Sequence, residues 1–406
     1  MDKISNKFHY FVGNDLGNSE QDIYIAEDKK EVFAAKNLIA EPDVYAKTLK
    51  TPNLEDLRQA TFIEKIEKNL IVKIVSAEVK TGNYYIGQYA LDSGATVKSI
   101  EVGQDNHKSE SDIVLITTLA QLAGRAVKDS YKKNKDNMPA QLEITVDMAT
   151  ALPICQYSKQ EASKFAKRFM NGLHNVTVLT PDIDVTVTIK FEFVKVLPEG
   201  VTATWALTCD SYQLFNKNDN AIQLSKDFFK NKRILHVAIG EGTTEFPITE
   251  GVNFNPNFIY GDNFGVGNAI NKALPEFKES NGLFSYSRQK FSEVIKNPSH
   301  KYYEAAKEQL DFYLEDEAEN IYQATKEQLE KANNEVDIIC VYGGGSILMR
   351  EALEKKLNKI ADRAKIKLFY VQKEYAVDLE CRGLYSFVTS SLFEKVKEIT
   401  LKKNIA

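Results

Sequence analysis

The sequence predicts an α/β protein built from two related domains, each carrying an inserted segment. At 406 residues the chain exceeds one small hydrophobic core, and its 43% hydrophobic and 27% charged residues are typical of a globular protein. A strand–polar turn–strand pattern occurs near the start and again in the middle, which indicates a duplication. Apolar strands that end in glycine-bearing turns, with helical patterns between them, complete the α/β pattern.

The first half of the chain is predicted to alternate strands and helices. It opens with "FHYFVGNDLGNSEQDIYIAED", which has the pattern of two strands joined by a polar turn. Residues 31–110 are polar and irregular with short apolar runs, and predict an inserted α+β subdomain. Ser111 is the expected N-cap of a helix, and Ser158 with Glu161 forms a capping-box pair before the next one. A further helix is predicted around Trp205.

The second half repeats this scheme. The strand "RILHVAIG" runs into a turn rich in glycine and threonine. Residues 262–335 predict a second inserted segment, which is strongly helical. The strand "DIICVY" then leads through three glycines into a helix, and the chain closes with the strand "IKLFYV" and a lysine-rich helical tail.

Composition excludes several classes of protein. The net charge of −5 argues against a broad basic DNA-binding face. The N-terminus has no apolar signal-peptide region and no apolar run is long enough to span a bilayer, so a cytoplasmic protein without membrane contact is expected. The cysteines form no CxxC pair, and we expect them to be reduced, mostly buried thiols rather than zinc ligands. They are Cys155, Cys209, Cys340 and Cys381.

Three glycine-bearing turns carry the functional signal. Each follows an apolar strand, and glycines let the backbone approach a phosphate while amides and hydroxyls donate to its oxygens. Each turn alone is more often an ordinary turn, but three in one α/β chain favour a nucleotide site. The turns comprise Asp15, Gly17, Asn18 and Ser19; then Gly240, Glu241, Gly242, Thr243 and Thr244; then Gly343, Gly344, Gly345 and Ser346.

Other nucleotide-binding and hydrolase motifs are absent. The sequence has no GxxxxGK[ST], so a P-loop is excluded. The glycines of "FGVGNAI" and "YGGGSIL" do not give GxGxxG after a first strand, which excludes a Rossmann fingerprint. "GEGTTEF" has no serine that would serve as the nucleophile of a hydrolase elbow.

The order of these motifs resembles the actin superfamily, which includes hexokinases and heat-shock chaperones, and is most similar to its bacterial ParM-type plasmid-segregation branch. "KVLPEGVTATW", "IYGDNFGVG", "VYGGGSILMREAL" and "DLECRGLY" look like further segments of that branch. The resemblance implies an actin-like ATPase fold in which two duplicated α/β domains with inserted subdomains flank a nucleotide cleft. It implies domain I at 1–205, with an insertion at about 31–110 and residues 381–406 returning to it, and domain II at 206–380.

The resemblance also implies roles for individual residues. Asp15 takes the role of the aspartate that organises Mg²⁺, and Glu199 that of the carboxylate that orients the attacking water. The glycines and threonines of the second turn meet the phosphates of ATP or GTP, and Asp262 lies near the ribose or a hinge. Gly343, Gly344 and Gly345 meet the adenosine. The alternative is that Glu199 is an ordinary exposed residue of the turn after Pro198, without a catalytic role.

One position departs from the family pattern. Ala238 stands where the family carries an aspartate at the end of the strand before the second phosphate turn. Glu241 and Glu245 are the carboxylates nearby in sequence. We hypothesise that Asp15 and Glu199 retain hydrolytic activity and that Glu241 partly replaces the aspartate missing at Ala238. Phosphoryl transfer depends mainly on positioning and charge stabilisation, so a shifted carboxylate can serve.

The implied function is a filament that polymerises with ATP, hydrolyses it and disassembles, and so moves plasmid copies through an adaptor bound to centromere-like DNA. Direct DNA contact is not expected. A non-polymerising small-molecule kinase of the same fold is the alternative, with Asp147 as the nearest candidate base. A cytoskeletal scaffold filament is a third possibility. The aromatic residues of the inserted segments would supply filament contacts or, more simply, the cores of those segments.

Overall fold

The structure, a computed structural model, describes residues 6–17, 21–26, 45–48, 58–93, 97–98, 100, 107–134, 138–215 and 227–403. The chain divides into two compact units. The first comprises Met1–Leu152, Gln156–Pro198 and Glu380–Ala406, and the second comprises Pro153–Cys155 and Glu199–Leu379. Glu199 therefore falls in the second unit, together with the second and third glycine turns.

The first unit is organised on one large sheet. Its elements are β1 (Lys7–Leu16), β2 (Gln21–Ala26), β3 (Tyr45–Thr48), α1 (Gln59–Glu64), β4 (Ile71–Val75), β5 (Gly82–Ile86), α2 (Gln88–Asp92), β6 (Val97–Lys98), α3 (Asp112–Lys133), β7 (Gln141–Leu152), α4 (Lys159–Met170), β8 (His174–Val178) and β9 (Val185–Pro198). Two further helices near the C-terminus are α12 (Leu379–Val388) and α13 (Ser391–Lys403).

The order of the described strands in this sheet is β2-β1-β7-β9-β8-β4-β5-β3-β6. β1 and β2 form the predicted antiparallel hairpin, while β1, β7 and β9 run parallel. The described strands of the 31–110 region extend this same sheet, because β4 pairs with β8. The segment is therefore continuous with the core of the first unit; its remaining residues lie outside the described part.

Only one of the two predicted N-cap serines makes a capping hydrogen bond. Ser158 caps α4 as predicted, since its hydroxyl accepts from the Glu161 amide at 3.0 Å. Ser111 occupies the N-cap position of α3, but its side chain makes no capping bond there. Its carbonyl instead accepts from Arg168 on α4 at 3.1 Å, so a tertiary contact holds this corner.

The second unit contains a smaller sheet and the helical insertion. Its elements are α5 (Ala203–Phe215), β10 (Arg233–Ile239), β11 (Thr244–Glu245), β12 (Ile248–Glu250), β13 (Asn253–Phe254), β14 (Gly261–Asp262), α6 (Val266–Ser280), α7 (Arg288–Lys296), α8 (Tyr303–Lys331), β15 (Ile338–Tyr342), α9 (Gly344–Leu348), α10 (Arg350–Ala364), β16 (Lys367–Tyr370) and α11 (Lys373–Ala376).

The helices predicted around Trp205 and across 262–335 are confirmed as α5 and α6–α8. β10, β15 and β16 run parallel, and β11 and β12 pair antiparallel with β10. One face of this sheet packs on α6, α8 and α10, and the other on α5 and the segment around Phe229. We expected the aromatic residues of the inserted segments either to form cores or to supply filament contacts. Four of them, Tyr84, Tyr85, Phe277 and Phe291, are buried and form cores.

The expectation of mostly buried thiols is correct for only half of the cysteines. Cys340 and Cys381 are buried, whereas Cys155 and Cys209 are exposed. Cys340 lies at the centre of β15, where the strand is covered on both faces. Cys155 lies in the short connection between β7 and α4.

Candidate functional site

The second and third glycine turns lie side by side in the second unit. β10 and β15 are neighbouring parallel strands in register at Ala238 and Tyr342, so both strands end at one edge of the sheet. The carboxyl edge of parallel strands is where open α/β sheets bind ligands. The fold thus brings together two segments about one hundred residues apart in the sequence.

The turn after β10 presents unpaired backbone donors. The Gly240 amide closes the turn by donating to the Thr243 carbonyl at 2.9 Å. In the described part of the chain, the amides of Glu241, Gly242 and Thr243 donate to no other group. Three successive amides without protein partners form a concavity suited to an anion. This geometry fits a nucleotide phosphate.

The start of α6 occupies the carbonyl side of the same turn. The amide of Val266 donates to the Gly240 carbonyl at 3.3 Å, and that of Gly267 donates to the Glu241 carbonyl at 2.8 Å. The carbonyls of the turn are thereby directed to the helix. The amides of Glu241, Gly242 and Thr243 in the turn are left for a ligand.

The hydroxyls of the two turns are divided between structure and site. Thr244 is fully buried, and its hydroxyl donates to the Phe264 carbonyl, so it holds the turn. The Ser346 hydroxyl likewise donates to the Gly343 carbonyl, at 2.7 Å. The Thr243 hydroxyl makes no bond among the described residues, and it is the one hydroxyl of its turn left for a ligand.

The triple glycine turn requires glycine at its first position. Gly343 has φ +91°, and a Cβ there would overlap the Ile239 carbonyl at the end of β10. Gly344 faces open space, since nothing lies within 4 Å of its Cβ direction, whereas Gly345 packs against Ile239. The turn therefore sits against the end of β10, with Gly344 as its open backbone face, as a flat ligand group would require.

The turn that carries Glu199 is held by a buried chain of hydrogen bonds. The Tyr342 hydroxyl donates to the Gly200 carbonyl at 2.8 Å and lies 3.2 Å from Nδ1 of His236. Because that hydroxyl has one hydrogen, Nδ1 of His236 donates to it, and Nε2 lies 2.8 Å from the Thr249 hydroxyl. Burial lowers the pKa of His236 to about 3, so its ring is neutral. Glu199 itself is half-buried.

Glu241 is engaged with a residue of the helical insertion. Its Oε1 lies 2.5 Å from Nη2 of Arg288, the first residue of α7, and both side chains are largely covered. Its role in replacing the missing aspartate stays a prediction. The ion pair is a competing use of that carboxylate.

Asp262 lies beside the phosphate turn. It pairs in register with Thr244, and its two carboxylate oxygens accept from the Tyr260 hydroxyl and the Asn263 amide, each at 2.7 Å. Burial, followed by the hydrogen bond to Asp262, raises the pKa of Tyr260, so the phenol keeps its proton. The predicted contact of Asp262 with ribose or a hinge stays untested.

The first turn belongs to the other unit. Asp15 is half-buried near the end of β1 and lies directly opposite Asp22 on β2. Like charges directly opposite each other in a hairpin repel, and a divalent cation would offset that repulsion. The carboxylates thus fit Mg²⁺, which takes few carboxylates together with phosphate and water oxygens. Gly17 is described, while Asn18 and Ser19 lie outside the described residues.

Asp147, the candidate base of the kinase alternative, has structural partners. Both of its carboxylate oxygens lie 2.7 Å from Nζ of Lys397 on α13, and Oδ2 lies 3.4 Å from Nε2 of His9. Burial raises the pKa of Asp147, but hydrogen bonds from His9 and Lys397 outweigh this and hold it below its usual value. An ionised, ion-paired carboxylate is poorly suited to act as a general base.

Sequence reasoning missed Arg288, Asp22 and the His236–Tyr342 chain. Counting residues outward from the first turn places Asp22 opposite Asp15, so the sequence contained that signal. Arg288 lies 47 positions after Glu241 and carries no motif. Among the described residues no group of three or more histidine, cysteine or carboxylate side chains is arranged to hold a metal ion, and no helix is long and apolar enough to cross a bilayer.

Comparison with known proteins identifies the fold as actin-like. Residues 13–201 match the family model for the N-terminal domain of actin-like proteins. The crystal structure of the actin-like protein Alp7A shares 19% identity, with a TM-score of 0.65 over 98% of this chain and 100% of that one. A ParM from Bacillus thuringiensis with ATP shares 16% identity, with a TM-score of 0.57 over 96% and 99%.

A non-polymerisable quadruple mutant of the pCBH ParM also shares 16% identity, with a TM-score of 0.62 over 93% of this chain and 98% of that one. No curated protein sequence matches the chain. The predicted fold class, an α/β actin-like ATPase fold, is confirmed.

Proposed function

From the actin-like fold and its phosphate-type turn, we propose that this protein is a ParM-type ATPase that assembles into filaments with nucleotide. The observation that carries the proposal is the set of three adjacent unpaired amides of Glu241, Gly242 and Thr243, beside the open backbone of the triple glycine turn. The names of the solved relatives include a ParM with ATP and a non-polymerisable ParM mutant, and they support the proposal by likeness of fold.

In this proposal the residues of the chain have separate tasks. The three amides and the Thr243 hydroxyl bind the phosphates of ATP or GTP, and Gly343, Gly344 and Gly345 lie against the base or ribose. Asp15 would hold Mg²⁺, which when bound neutralises the negative charge of the phosphates. Glu199 orients the attacking water, and the bond from Tyr342 to Gly200 fixes its turn. Positioning and charge stabilisation of this kind are the main requirements for phosphoryl transfer to water.

Self-association is proposed to use exposed aromatic residues of the helical insertion. Phe284, between α6 and α7, is fully exposed, and Phe312 on α8 is 69% exposed. Exposed aromatic side chains are typical anchors of protein interfaces. The finer role is segregation of plasmid copies in the cytoplasm, through an adaptor bound to centromere-like DNA and without direct DNA or membrane contact. A scaffold filament is the second candidate.

The test is 90° light scattering with simultaneous phosphate release after Mg-ATP is added to the purified protein. A rise in scattering that decays as phosphate appears is the expected result. No rise at any protein concentration refutes the filament. ATP turnover that requires a small acceptor would favour a kinase instead.

Glu199→Gln separates nucleotide binding from hydrolysis in this assay. We expect the variant to bind ATP and to raise scattering, but to release phosphate at least tenfold more slowly, because the water is no longer oriented. Hydrolysis at the wild-type rate would show that Glu199 is an ordinary turn residue.

Asp15→Asn tests the metal assignment separately. The change keeps the shape of the side chain and removes the charge that would hold the cation. We expect the gain in ATP affinity on adding Mg²⁺ to shrink, and calorimetry with and without Mg²⁺ measures it. An unchanged Mg²⁺ dependence would remove Asp15 from the site.

A further inference from the structure

We propose that Glu245 supplies, from the facing strand, the carboxylate that the end of β10 lacks at Ala238. The inference rests on the proposed function, since it concerns hydrolysis at the same turn. The sequence alone suggested that Glu241 replaces the aspartate missing at Ala238, and the structure favours Glu245 for that role.

The hairpin register places Glu245 directly opposite Ala238. β10 and β11 are antiparallel, and Ala238 and Glu245 are register partners, with Ile239 and Thr244 as the next pair. Side chains directly opposite each other in an antiparallel pair point to the same face, with Cβ atoms about 5 Å apart. Cβ of Glu245 therefore projects on the same face as the methyl group of Ala238, the face on which an aspartate at position 238 would project, and the carboxylate extends toward β14.

That face is also the one on which the Glu199 turn lies. An added Cβ on Gly200 would come within 3.1 Å of Cβ of Glu245, so the two backbones are in close approach. The Glu245 carboxylate lies over Gly261, where a Cβ would overlap its Oε2. The Ile154 amide donates to the same oxygen at 3.3 Å. The side chain is only 2% exposed, so its position is set by packing.

The electrostatics of a neighbouring thiol agree with this arrangement. Cys155 keeps part of its surface exposed, and its partial burial together with the negative charges of Glu245, Glu199 and Asp262 raises the pKa of its thiol to about 11. Three carboxylates thus act on one point of the second unit. Glu199 and Glu245 both lie close enough to the Cys155 thiol to raise its pKa.

Glu241 is the weaker candidate because its charge is already neutralised. Its Oε1 lies 2.5 Å from Nη2 of Arg288, whose helix belongs to the insertion. The ion pair directs Oε1 of Glu241 to the insertion, which leaves only Oε2 of this carboxylate to accept from a water. Glu245 instead accepts at Oε2 from the Ile154 amide within the second unit.

The role that follows for Glu245 is to hold a water. A carboxylate next to the phosphate turn accepts hydrogen bonds from water, and so orients either the attacking water or a water of the Mg²⁺ shell. It makes no covalent bond and transfers no group. Its loss should slow hydrolysis and weaken the Mg²⁺ dependence of nucleotide affinity, while nucleotide binding through the amides persists.

The experiment compares Glu245→Gln with the matched variant Glu241→Gln. Glutamine keeps the size of the side chain and the oxygen that accepts from Ile154. Phosphate release and ATP affinity with and without Mg²⁺, the latter by calorimetry, are measured for both. We expect Glu245→Gln to slow release at least tenfold and to reduce the gain in affinity on adding Mg²⁺, and Glu241→Gln to slow release by a smaller factor. Glu250→Gln, at an exposed glutamate of β12 outside the turn, should stay within threefold of the wild type.

The most specific test moves the carboxylate from position 245 to position 238. The double variant Ala238→Asp with Glu245→Gln places the charge on the opposite strand of the same pair. We expect it to recover at least threefold in phosphate release relative to Glu245→Gln alone. Wild-type hydrolysis by Glu245→Gln, or a larger loss in Glu241→Gln, overturns the inference.

A melting comparison keeps the inference testable if Glu245→Gln does not fold. In Ala238→Asp two carboxylates face each other, so we expect a lower melting temperature without Mg²⁺ and nucleotide and a larger increase than in the wild type when both are added. Equal increases contradict the inference. If the wild type hydrolyses ATP and only these comparisons fail, the proposed function stands without Glu245; if the wild type neither binds nor hydrolyses ATP, the proposed function itself fails.

Discussion

Replacing Lys397 with methionine should loosen the C-terminal helix of the first unit. Nζ of Lys397 contacts both oxygens of Asp147 at 2.7 Å and Glu192 at 2.9 Å. The side chain of Asp147 is 6% exposed and that of Lys397 is 21% exposed. Methionine keeps much of the stem and removes the charge, which leaves two carboxylates facing each other across β7 and β9.

The size of the effect follows from this partial burial. Removing one partner of a fully buried ion pair costs about 3–5 kcal/mol, while exposed pairs contribute about 0–1 kcal/mol. The pair on α13 lies between these limits, so we expect a loss of about 2 kcal/mol in the free energy of opening this helix. At 1.36 kcal/mol per factor of ten, that corresponds to about 30-fold faster amide exchange where opening limits exchange.

Hydrogen exchange of the α13 peptide, followed by mass spectrometry, measures this change. The exposed Lys395 on the same helix provides the control, and Lys395→Met should leave exchange within about twofold. Asp147→Asn should accelerate exchange too, but the double variant with Lys397→Met should show less than the sum of the two effects. Strict additivity, or less than threefold acceleration by Lys397→Met, would refute the reasoning.

The pH dependence of this contribution has a defined sign. The pKa of Asp147 is held low, so its part is present above the unfolded value of about 3.9 and is lost as pH falls through the folded value. Burial lowers the pKa of Lys397, but hydrogen bonds to Asp147 and Glu192 raise it overall. Its part is present below about 10.4 and is lost as pH rises through the higher folded value. Protection of α13 should therefore be flat from about pH 5 to 10.

Three further predictions concern the second unit. Gly343→Ala should cost about 2 kcal/mol from its positive φ and from overlap with the Ile239 carbonyl, and should weaken ATP binding, as thermal melting and calorimetry would show; unchanged affinity would contradict the role of this turn. Burial lowers the pKa of His236 to about 3, below the unfolded value of about 6.5, so the free energy of unfolding should fall as pH drops below 6.5, by about 2 kcal/mol at pH 5. Acid titration followed by tryptophan fluorescence measures this fall. His236→Gln should make the free energy of unfolding less dependent on pH in this range. Tyr342→Phe should cost about 1 kcal/mol and slow hydrolysis several-fold with ATP affinity unchanged, since it frees the Gly200 carbonyl; an equal loss of affinity would indicate general damage.

Local sequence chemistry predicted the turns and most of the elements. Glycine-bearing turns after apolar strands are short-range signals, so the hairpin of β1 and β2, the strand β15 and the start of α9 follow from a few neighbouring residues. The helices of the 262–335 insertion were equally predictable, because apolar spacing along a helix does not depend on its partners.

Contacts between distant segments were not predictable from the sequence. The ion pair of Glu241 with Arg288 depends on how α7 packs against the turn, and no local pattern encodes that packing. Thr244 reads as a phosphate ligand, yet its hydroxyl is used by the Phe264 carbonyl twenty residues away. The strands around residue 72 were expected in an inserted α+β subdomain, and the sequence did not predict that β4 pairs with β8 of the large sheet, because such a pairing is decided by tertiary contacts.

The contact of α6 with the phosphate turn limits how this protein can be shortened. Val266 and Gly267 saturate the carbonyls of Gly240 and Glu241, so the helical insertion is part of the turn's own hydrogen bonding. Excising residues 266–331 and joining the ends would remove the two amides that donate to these carbonyls, so we expect the turn to lose part of its own support. The insertion is therefore inseparable from the turn, and a minimal nucleotide-binding version of this chain has to retain at least the first turn of α6.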